Sequence, residues 1–271
     1  MLEAQHYQQT YYGYSRPRVI PCLLLRNTGL VKTRKFKDPI YLGDPRNVVK
    51  IFNDKEVDEL VLLDITATVE GKAPRIDLIR EIVSECFAPL GYGGGVRSAD
   101  DVERITGIGI EKVIMNTAAI ENPALVEEAA RRVGSSSTVV SIDVRRGMLG
   151  RYEVYTHAGS KNTHRDPVSV AKQMEDAGAG EILLNSIDED GMMSGYDLKL
   201  IKIVADAVNI PVVACGGAGK IDDLVQAVQI GGASAAAAGS MFVFHGKLRG
   251  VLISFPIGKE LDAAFSKVEL R

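Results

Sequence analysis

Tryptophan is absent from this 271-residue sequence, and cysteine and histidine are scarce, with three and four residues respectively. Cys22, Cys86 and Cys215 form no C-x-x-C pair, and two of them lie in apolar, strand-like runs. This pattern predicts buried free thiols and a reducing cytoplasm. The histidines show no ligand spacing, and His157 and His164 lack cysteine or carboxylate company. We therefore expect neither a metal nor a cofactor.

A strong excess of one charge is also missing. The formal net charge is −3 and the charges are interspersed, so no basic face indicates nucleic acid and no polybasic tract indicates anionic lipid. The longest apolar stretch, 233–244, is shorter than the ~20 residues that a membrane span needs. The N-terminus has no basic-then-apolar signal. These absences favour a cytoplasmic protein with small-molecule partners.

What the sequence does contain is an alternation of short Val-, Ile- and Leu-rich runs with segments of helical apolar spacing, which predicts βαβ units. Eight strands are predicted, at residues 19–25, 60–65, 88–92, 112–116, 138–144, 182–186, 211–215 and 235–238. Helix starts are marked at Asp44-Pro45, Ser98, Asn122-Pro123, Asp166-Pro167, Asp197 and Asp222. Eight units without a linker predict an α/β chain folded as one (β/α)8 TIM barrel over residues 16–271, after a polar extension at residues 1–15.

The two halves of the predicted barrel are related in sequence. The segment Glu59-Leu-Val-Leu-Leu-Asp-Ile matches Glu181-Ile-Leu-Leu-Asn-Ser-Ile, about 122 residues later. Gly93-Gly-Gly matches Gly216-Gly-Ala at nearly the same offset. We expect an internal two-fold half-barrel repeat and a related pair of sites across the barrel mouth.

Four turns at predicted strand ends have the composition of phosphate sites, because closely approaching N–H groups and helix N-termini favour an anion. The candidate residues are Gly93, Gly94, Gly95, Asn116, Thr117, Gly216, Gly217, Gly219, Gly239 and Ser240. The alternative is that the glycines only permit tight turns. Because the repeat places two turns on each side of the mouth, we predict a ligand with a phosphate at each end.

Asp143 lies near the end of the fifth strand, where a barrel presents catalytic groups. A part-desolvated carboxylate close to phosphates can have its pKa raised enough to move protons near neutral pH. An acid or base role is therefore predicted for Asp143. The alternative is a salt bridge with Arg145 or Arg146.

Other charged residues follow the first, second and sixth strands. Asp64, Asp188 and Asp190 are candidates to bind substrate hydroxyls, or equally to cap adjacent helices. The connection after the first strand reads as a long basic loop, which is either a lid over an anionic ligand or a solvated charge run. Its cations are Arg26, Lys32, Arg34, Lys35 and Lys37.

Four further charges lie at the starts of apolar strands and therefore at the opposite, N-terminal end of the barrel. They are Arg18, Glu59, Lys112 and Glu181. Opposite charges arranged in a ring can pair. In a generic barrel, such pairing at this end is a stability feature.

From Arg18 to about Phe244 the sequence resembles the cyclase subunit of imidazole glycerol phosphate synthase, the HisF family. The resemblance is carried, in order, by Leu63-Asp-Ile-Thr-Ala, Gly93-Gly-Gly, Asn116-Thr-Ala-Ala, Gly180-Glu-Ile-Leu-Leu, Ser186-Ile-Asp, Asp190-Gly, Ser194-Gly-Tyr-Asp and Gly216-Gly-Ala-Gly-Lys. It implies a barrel that receives ammonia from a HisH-like glutaminase subunit docked at its N-terminal face. It also implies that the four charges gate the ammonia and that the glycine turns bind a bisphosphorylated ribulosyl-aminoimidazole.

One departure from the family pattern concerns the chemistry. Cyclases of the family carry catalytic aspartates at the ends of strands one and five. Asp143 matches the second, but the Cys-Leu-Asp segment that should supply the first reads Cys22-Leu-Leu24 here. With Pro21-Cys-Leu-Leu-Leu-Arg and Lys32-Thr-Arg-Lys-Phe, the chain looks more like HisF-like proteins associated with acetamidino-sugar formation in surface polysaccharides.

Three hypotheses follow. The first is a synthase subunit that channels ammonia for sugar amidation, with a sugar amidotransferase as a further partner. The second is an active histidine-pathway cyclase, a lyase, that uses Asp143 with Lys32 or Asp64 as a substitute acid. The third is a non-catalytic scaffold or activator of the glutaminase.

Overall fold

The computed structural model describes residues 16–147, 150–246 and 248–266, and in them eight parallel strands close into a barrel. In chain order they are β1 (Arg18–Arg26), β2 (Leu60–Asp64), β3 (Leu90–Gly93), β4 (Lys112–Met115), β5 (Thr138–Arg146), β6 (Glu181–Ser186), β7 (Val212–Cys215) and β8 (Ala235–Ala238). Consecutive strands are neighbours, and β8 pairs with β1. The predicted (β/α)8 barrel is confirmed. The predicted extension at residues 1–15 lies outside the described residues.

Helices connect the strands on the outside of the barrel and continue after β8. They are α1 (Pro45–Asp54), α2 (Ile76–Val83), α3 (Ala99–Thr106), α4 (Thr117–Glu121), α5 (Pro123–Val133), α6 (Pro167–Asp176), α7 (Leu198–Ala205), α8 (Ile221–Gln229), α9 (Ser240–Val243) and α10 (Gly258–Phe265). None of the helices in the described ranges is long and apolar enough to cross a membrane.

Five of the six predicted helix starts are confirmed, at α1, α3, α5, α6 and α7. The sixth, which placed a capping residue at Asp222, is wrong. Helix α8 begins at Ile221, and Asp222 lies in its first turn. The neighbouring Asp223 accepts hydrogen bonds from the N–H groups of Gly219 and Lys220 instead.

Alternation along the strands separates two apolar cores, because successive side chains of a strand point to opposite faces. On β1, Val19, Leu23 and Leu25 pack outward against the helices. Ile20 and Leu24 belong to a second cluster inside the barrel. This inner core fills the space between the two ends of the barrel. Its other buried members are Cys22, Val31, Val61, Ile114, Val139, Leu183, Val213, Cys215, Ala235 and Ala237.

The segment after β1 forms an antiparallel hairpin rather than the predicted loop, so the solvated charge run is wrong, while its role as a lid over an anionic ligand stays a prediction. Its strands are Gly29–Arg34 and Lys37–Gly43, and the first extends the barrel sheet by pairing with β1. Leu30 and Val31 are buried in this strand, which a solvated charge run would not allow. Lys32 is buried with them. The other four cations of the segment, Arg26, Arg34, Lys35 and Lys37, are exposed to solvent.

Candidate active site

A cavity of about 200 Å³ lies at the C-terminal ends of the barrel strands. Most of the predicted site residues line it, namely Lys32, Asp64, Gly93, Gly94, Gly95, Asn116, Thr117, Asp143, Asp190, Gly216, Gly217, Gly239 and Ser240. Asp188 and Gly219 do not line it. The fold therefore brings together side chains that are more than 200 positions apart in the sequence, because every strand ends at the same rim.

Asp143 is only 8% exposed on β5, with the Ser141 hydroxyl 3.3 Å from its Oδ1. Burial raises the pKa of Asp143 to about 7, and the negative charge of Asp190 adds to the effect. The cause is that a desolvated carboxylate is harder to ionise. Hydrogen bonds from Ser141 and Asn185 moderate the rise. Asp143 can therefore give or take a proton near neutral pH, as general acid–base catalysis requires.

The alternative for Asp143, a salt bridge with Arg145 or Arg146, is wrong. Arg146 pairs with Asp197 at 2.6 Å. The guanidinium of Arg145 lies over the Tyr155 ring, 4.8 Å from its centroid. Both arginines lie beyond Asp143 on β5, where the strand pairs with an antiparallel strand at Tyr152–Thr156, and neither of them lines the cavity.

Lys32 reaches the cavity from the hairpin. Its side chain lies over Gly239, where any Cβ would collide with the ammonium group. The backbone that follows β8 must therefore be glycine if the lysine is to occupy this place. Cys22 lies within the field of the ammonium, and contact with the Cys215 thiol followed by the attraction of Lys32 holds the pKa of Cys22 below its ordinary value. Cys22 and Cys215 are buried and free, as predicted, whereas Cys86 is free but only half-buried.

The turns after β3 and β7 have conformations that glycine provides. Gly217 has a φ of 123°, and a Cβ there would collide with the carbonyl of Gly195. The N–H of Gly219 donates to Asp223 Oδ2 at 2.8 Å and is therefore engaged within the protein, and phosphate binding by Gly219 stays a prediction. The hydroxyl of Ser240 is buried without a partner in the described part of the chain and lines the cavity.

On the opposite side of the mouth, the polar turn after β4 is already hydrogen-bonded to the protein. The amide of Asn116 donates to the carbonyl of Ser141 at 3.0 Å. The Thr117 hydroxyl accepts from the N–H of His157 at 2.9 Å. These contacts fix both side chains at the cavity wall.

The three candidate aspartates for substrate hydroxyls differ in position. Asp64 Oδ2 pairs with Arg75 at 3.0 Å, and its Oδ1 accepts from the N–H groups of the following turn. Asp190 accepts from the Thr33 hydroxyl at 2.7 Å and so ties the hairpin to the turn after β6. Asp188 lies outside the cavity because its carboxylate accepts from the N–H of Arg146 at 2.8 Å. Asp188 is thus not among the cavity residues, and its binding of substrate hydroxyls stays a prediction.

The four charges at the N-terminal end form a closed ring. Arg18 pairs with both Glu59 and Glu181. Lys112 Nζ lies 3.0 Å from Glu59 Oε2 and 3.0 Å from Glu181 Oε1. The predicted pairing is confirmed. Each cation contacts both carboxylates, so the ring closes the bottom of the barrel below the inner core.

Sequence reasoning missed Asn185 as a cavity residue. It lies on β6 and is 7% exposed, and its register partners are Asp143 on β5 and Cys215 on β7. The signal was present in the repeat, where Asn185 matches Leu63, but an amide inside an apolar run was interpreted only as part of a strand. Within the described ranges, no three His, Cys, Asp or Glu side chains are grouped to bind a metal.

Comparison with known proteins agrees with this geometry. A family model described as "Histidine biosynthesis protein" matches residues 18–249. The chain is 51% identical over 247 residues to "Putative imidazole glycerol phosphate synthase subunit hisF2" of Pseudomonas aeruginosa, covering 91% of this chain and 98% of the relative. It is 47% identical over 254 residues to "Putative imidazole glycerol phosphate synthase subunit hisF3" of Vibrio vulnificus, covering 93% and 98%. It is 43% identical over 228 residues to "Imidazole glycerol phosphate synthase subunit HisF" of Alkaliphilus metalliredigens, covering 84% and 90%.

Proposed function

The chain belongs to the histidine biosynthesis protein family and to its HisF branch, and from this premise we propose that it is a synthase subunit specialised for sugar amidation. In this proposal a HisH-like glutaminase docks at the N-terminal face and releases ammonia into the barrel. The ammonia passes to the cavity and serves the amidation of a surface-polysaccharide sugar, together with a sugar amidotransferase. A phosphorylated small molecule binds at the glycine turns.

The observation that carries the proposal is Leu24. It lies on β1 at the cavity wall, in register with Leu63 on β2. An aliphatic side chain cannot transfer a proton, whereas a general acid or base contributes typically 10²- to 10⁴-fold to a rate. Asp64, the nearest carboxylate in the β2 sequence, is paired with Arg75 and bonded to its own turn. We therefore expect this chain to catalyse very slowly the cyclisation that needs two aspartates.

The interior of the barrel supports ammonia transfer. Above the ring of Arg18, Glu59, Lys112 and Glu181 lies the inner core, which includes the small side chains of Ala235 and Ala237. An apolar lining favours neutral ammonia over ammonium, because a charge is costly to desolvate. The ring is fully paired, so passage requires its ion pairs to open.

A second candidate function is an active cyclase of histidine biosynthesis. The observation in its favour is that Asp143, with a pKa of about 7, shares one cavity with Lys32 and both sets of glycine turns. In that case Lys32 would supply the second proton. The cavity would then bind the bisphosphorylated imidazole-pathway substrate.

A complementation experiment separates the two functions. The chain and its Leu24→Asp variant would be expressed in a bacterium that lacks its own HisF, on medium without histidine and with excess ammonium. The specialised subunit predicts no growth with the unmodified chain, while a HisF cyclase expressed as control restores growth. Growth with the unmodified chain would contradict specialisation and support the second candidate.

A further inference from the structure

The cavity floor is divided between the two halves of the barrel. One row of paired positions crosses the first half, from Leu24 through Leu63 and Gly93 to Ile114. The corresponding row of the second half runs from Asp143 through Asn185 and Cys215 to Ala237. In the repeat, the apolar pair Leu24–Leu63 therefore corresponds to the polar pair Asp143–Asn185.

The polar half contains an unsatisfied acceptor. Asn185 is 7% exposed, and its Oδ1 is buried without a hydrogen-bond partner in the part of the chain that the structure describes. A buried amide oxygen without a donor costs about 1–3 kcal/mol. The atom lies beside Gly216, where any Cβ would crowd it at 2.7 Å. The glycine thus leaves open the space in front of the acceptor.

Asp143 completes a set of acceptors around this space. Its register partner is Asn185, which favours the ionised carboxylate and so lowers the pKa of Asp143, and both residues line the cavity. Asp190, which also lines the cavity, adds a second negative charge near Asp143. The Lys32 ammonium lies over Gly239. This corner therefore offers oxygen acceptors and negative charge to a small donor.

We propose that Asp143 and Asn185 form a binding site for ammonium at the point where the inner core opens into the cavity. The inference rests on the proposed function, which supplies ammonia from below. Ammonium matches the site because it has several N–H donors, a single positive charge and no apolar surface. Neutral ammonia leaving the core would take a proton from protonated Asp143, which gives an ammonium–carboxylate pair with Asn185 Oδ1 accepting a further N–H.

The site can be tested by monitoring the titration of the Asp143 carboxyl group. The method is ¹³C NMR of protein labelled at the aspartate carboxyl carbons. The pKa of Asp143 would be measured from roughly pH 5 to 8, where ammonium remains charged. Titrations would be run in ammonium chloride and in tetramethylammonium chloride at equal ionic strength. Asp143→Asn assigns the signal. Other titratable groups near Asp143 are Asp190 and Cys22, with Lys32 in the same cavity, and both salts screen them equally.

We expect saturating ammonium to lower the pKa of Asp143 by about one unit, which corresponds to about tenfold tighter binding to the ionised site. Tetramethylammonium has no N–H donor and should leave the pKa unchanged. Asn185→Leu, which has the same branched shape but no acceptor, should lose the ammonium effect, whereas Asn209→Leu, at an exposed position, should retain it. If Asn185→Leu does not fold, Asn185→Ser withdraws the acceptor with a smaller change.

Equal pKa values in the two salts, or an undiminished ammonium effect in the Asn185 variant, would overturn the site. Binding of inorganic phosphate, followed by ³¹P NMR on the same samples, reports on the glycine turns independently. Phosphate binding without an ammonium effect would remove this inference and leave the proposed function intact. Loss of both would count against the proposed function as well.

Discussion

Two equivalent positions of the repeat decide the chemistry that this barrel can perform. Asp143 is buried beside the amide of Asn185, while Leu24 lies beside Leu63. The contrast is between a titratable side chain and an inert one in matching registers of β5 and β1. Under the proposed function, one proton-transfer group at this level serves the binding and transfer of ammonia rather than the cyclisation that uses two aspartates.

The raised pKa of Asp143 predicts a pH-dependent cost to folding. The folded chain retains the Asp143 proton to about pH 7, whereas the unfolded chain releases it near pH 4. Stability from this residue is therefore greatest below about pH 4, falls as the pH rises towards 7, and is constant above that. The full difference is about 4 kcal/mol.

Asp143→Asn should remove this dependence. We expect the variant to match the unmodified chain near pH 4 and to exceed it in stability by a few kcal/mol near pH 8, by urea denaturation. Asp188→Asn, outside the cavity, is the control, and it should not gain stability over the unmodified chain near pH 8. Parallel pH profiles for the Asp143 variant and the unmodified chain would show that the carboxyl is not desolvated as described.

For individual residues, the sequence predicts site side chains near the ends of strands better than site side chains inside strands. Asp143 was identified because catalytic residues of barrels lie at the C-terminal ends of strands. The sequence does not identify Asn185, because apolar residues precede it in the strand. Whether its side chain points into the barrel depends on the strand register. Asp188 was placed in the site, but its carboxylate bonds to the N–H of Arg146, a contact across strands that sequence spacing does not reveal.

At the element scale, the hairpin after β1 delivers a cation to the turns after β7 and β8. We predict that Lys32→Met weakens binding of inorganic phosphate about tenfold, or 1.4 kcal/mol, because the buried ammonium lies over Gly239. Lys35→Met provides a matched control, since Lys35 is exposed in the same hairpin. Calorimetric titration with phosphate measures both, and equal affinity of the two variants would remove Lys32 from the anion site.

The turn before α8 allows a second matched comparison. Asp223 is buried and accepts from the N–H groups of Gly219 and Lys220 at 2.8 and 3.1 Å, while the adjacent Asp222 is exposed. Asp223→Ala should lower the free energy of unfolding by about 1–2 kcal/mol, because two turn donors lose their acceptor. Asp222→Ala should change it by less than about 0.5 kcal/mol. Denaturant midpoints that order the two variants the other way would contradict this account of the turn.

Elements were predictable where a local signal sufficed. Proline and capping residues located five helix starts, and apolar runs located all eight strands. The hairpin was missed because its residues Lys32, Arg34, Lys35 and Lys37 resemble a solvated segment. What makes Gly29–Arg34 a strand is pairing with β1 and burial of Leu30, which are tertiary effects.

On the scale of the whole molecule, the ring and the cavity lie at opposite ends of the inner core. We predict that Lys112→Met lowers the free energy of unfolding by about 3 kcal/mol, because Glu59 and Glu181 are buried and would keep only Arg18 as a partner. Lys161→Met breaks an exposed pair with Glu121 and should cost less than about 1 kcal/mol. If urea denaturation gave similar losses of stability for both variants, the buried carboxylates of the ring would not depend on Lys112.

The fold as a whole was predictable because the number of strand–helix units and the internal repeat are written in the sequence. Barrel closure then places all strand ends at one rim, which explains why most of the predicted site residues meet in one cavity. The division of that cavity into an apolar and a polar half was not predictable. It depends on register between neighbouring strands, which pairs Leu24 with Leu63 and Asp143 with Asn185.

In the proposed function, Leu24 stands where cyclases of the family carry their first catalytic aspartate. The decisive measurement is turnover of the bisphosphorylated imidazole-pathway substrate with ammonium supplied in solution, comparing the unmodified chain with Leu24→Asp. We predict no turnover by the unmodified chain and measurable turnover by the variant, because the new carboxylate would occupy the position on β1 that matches Asp143 on β5. Robust turnover by the unmodified chain would rule out the specialised subunit and place the protein in histidine synthesis.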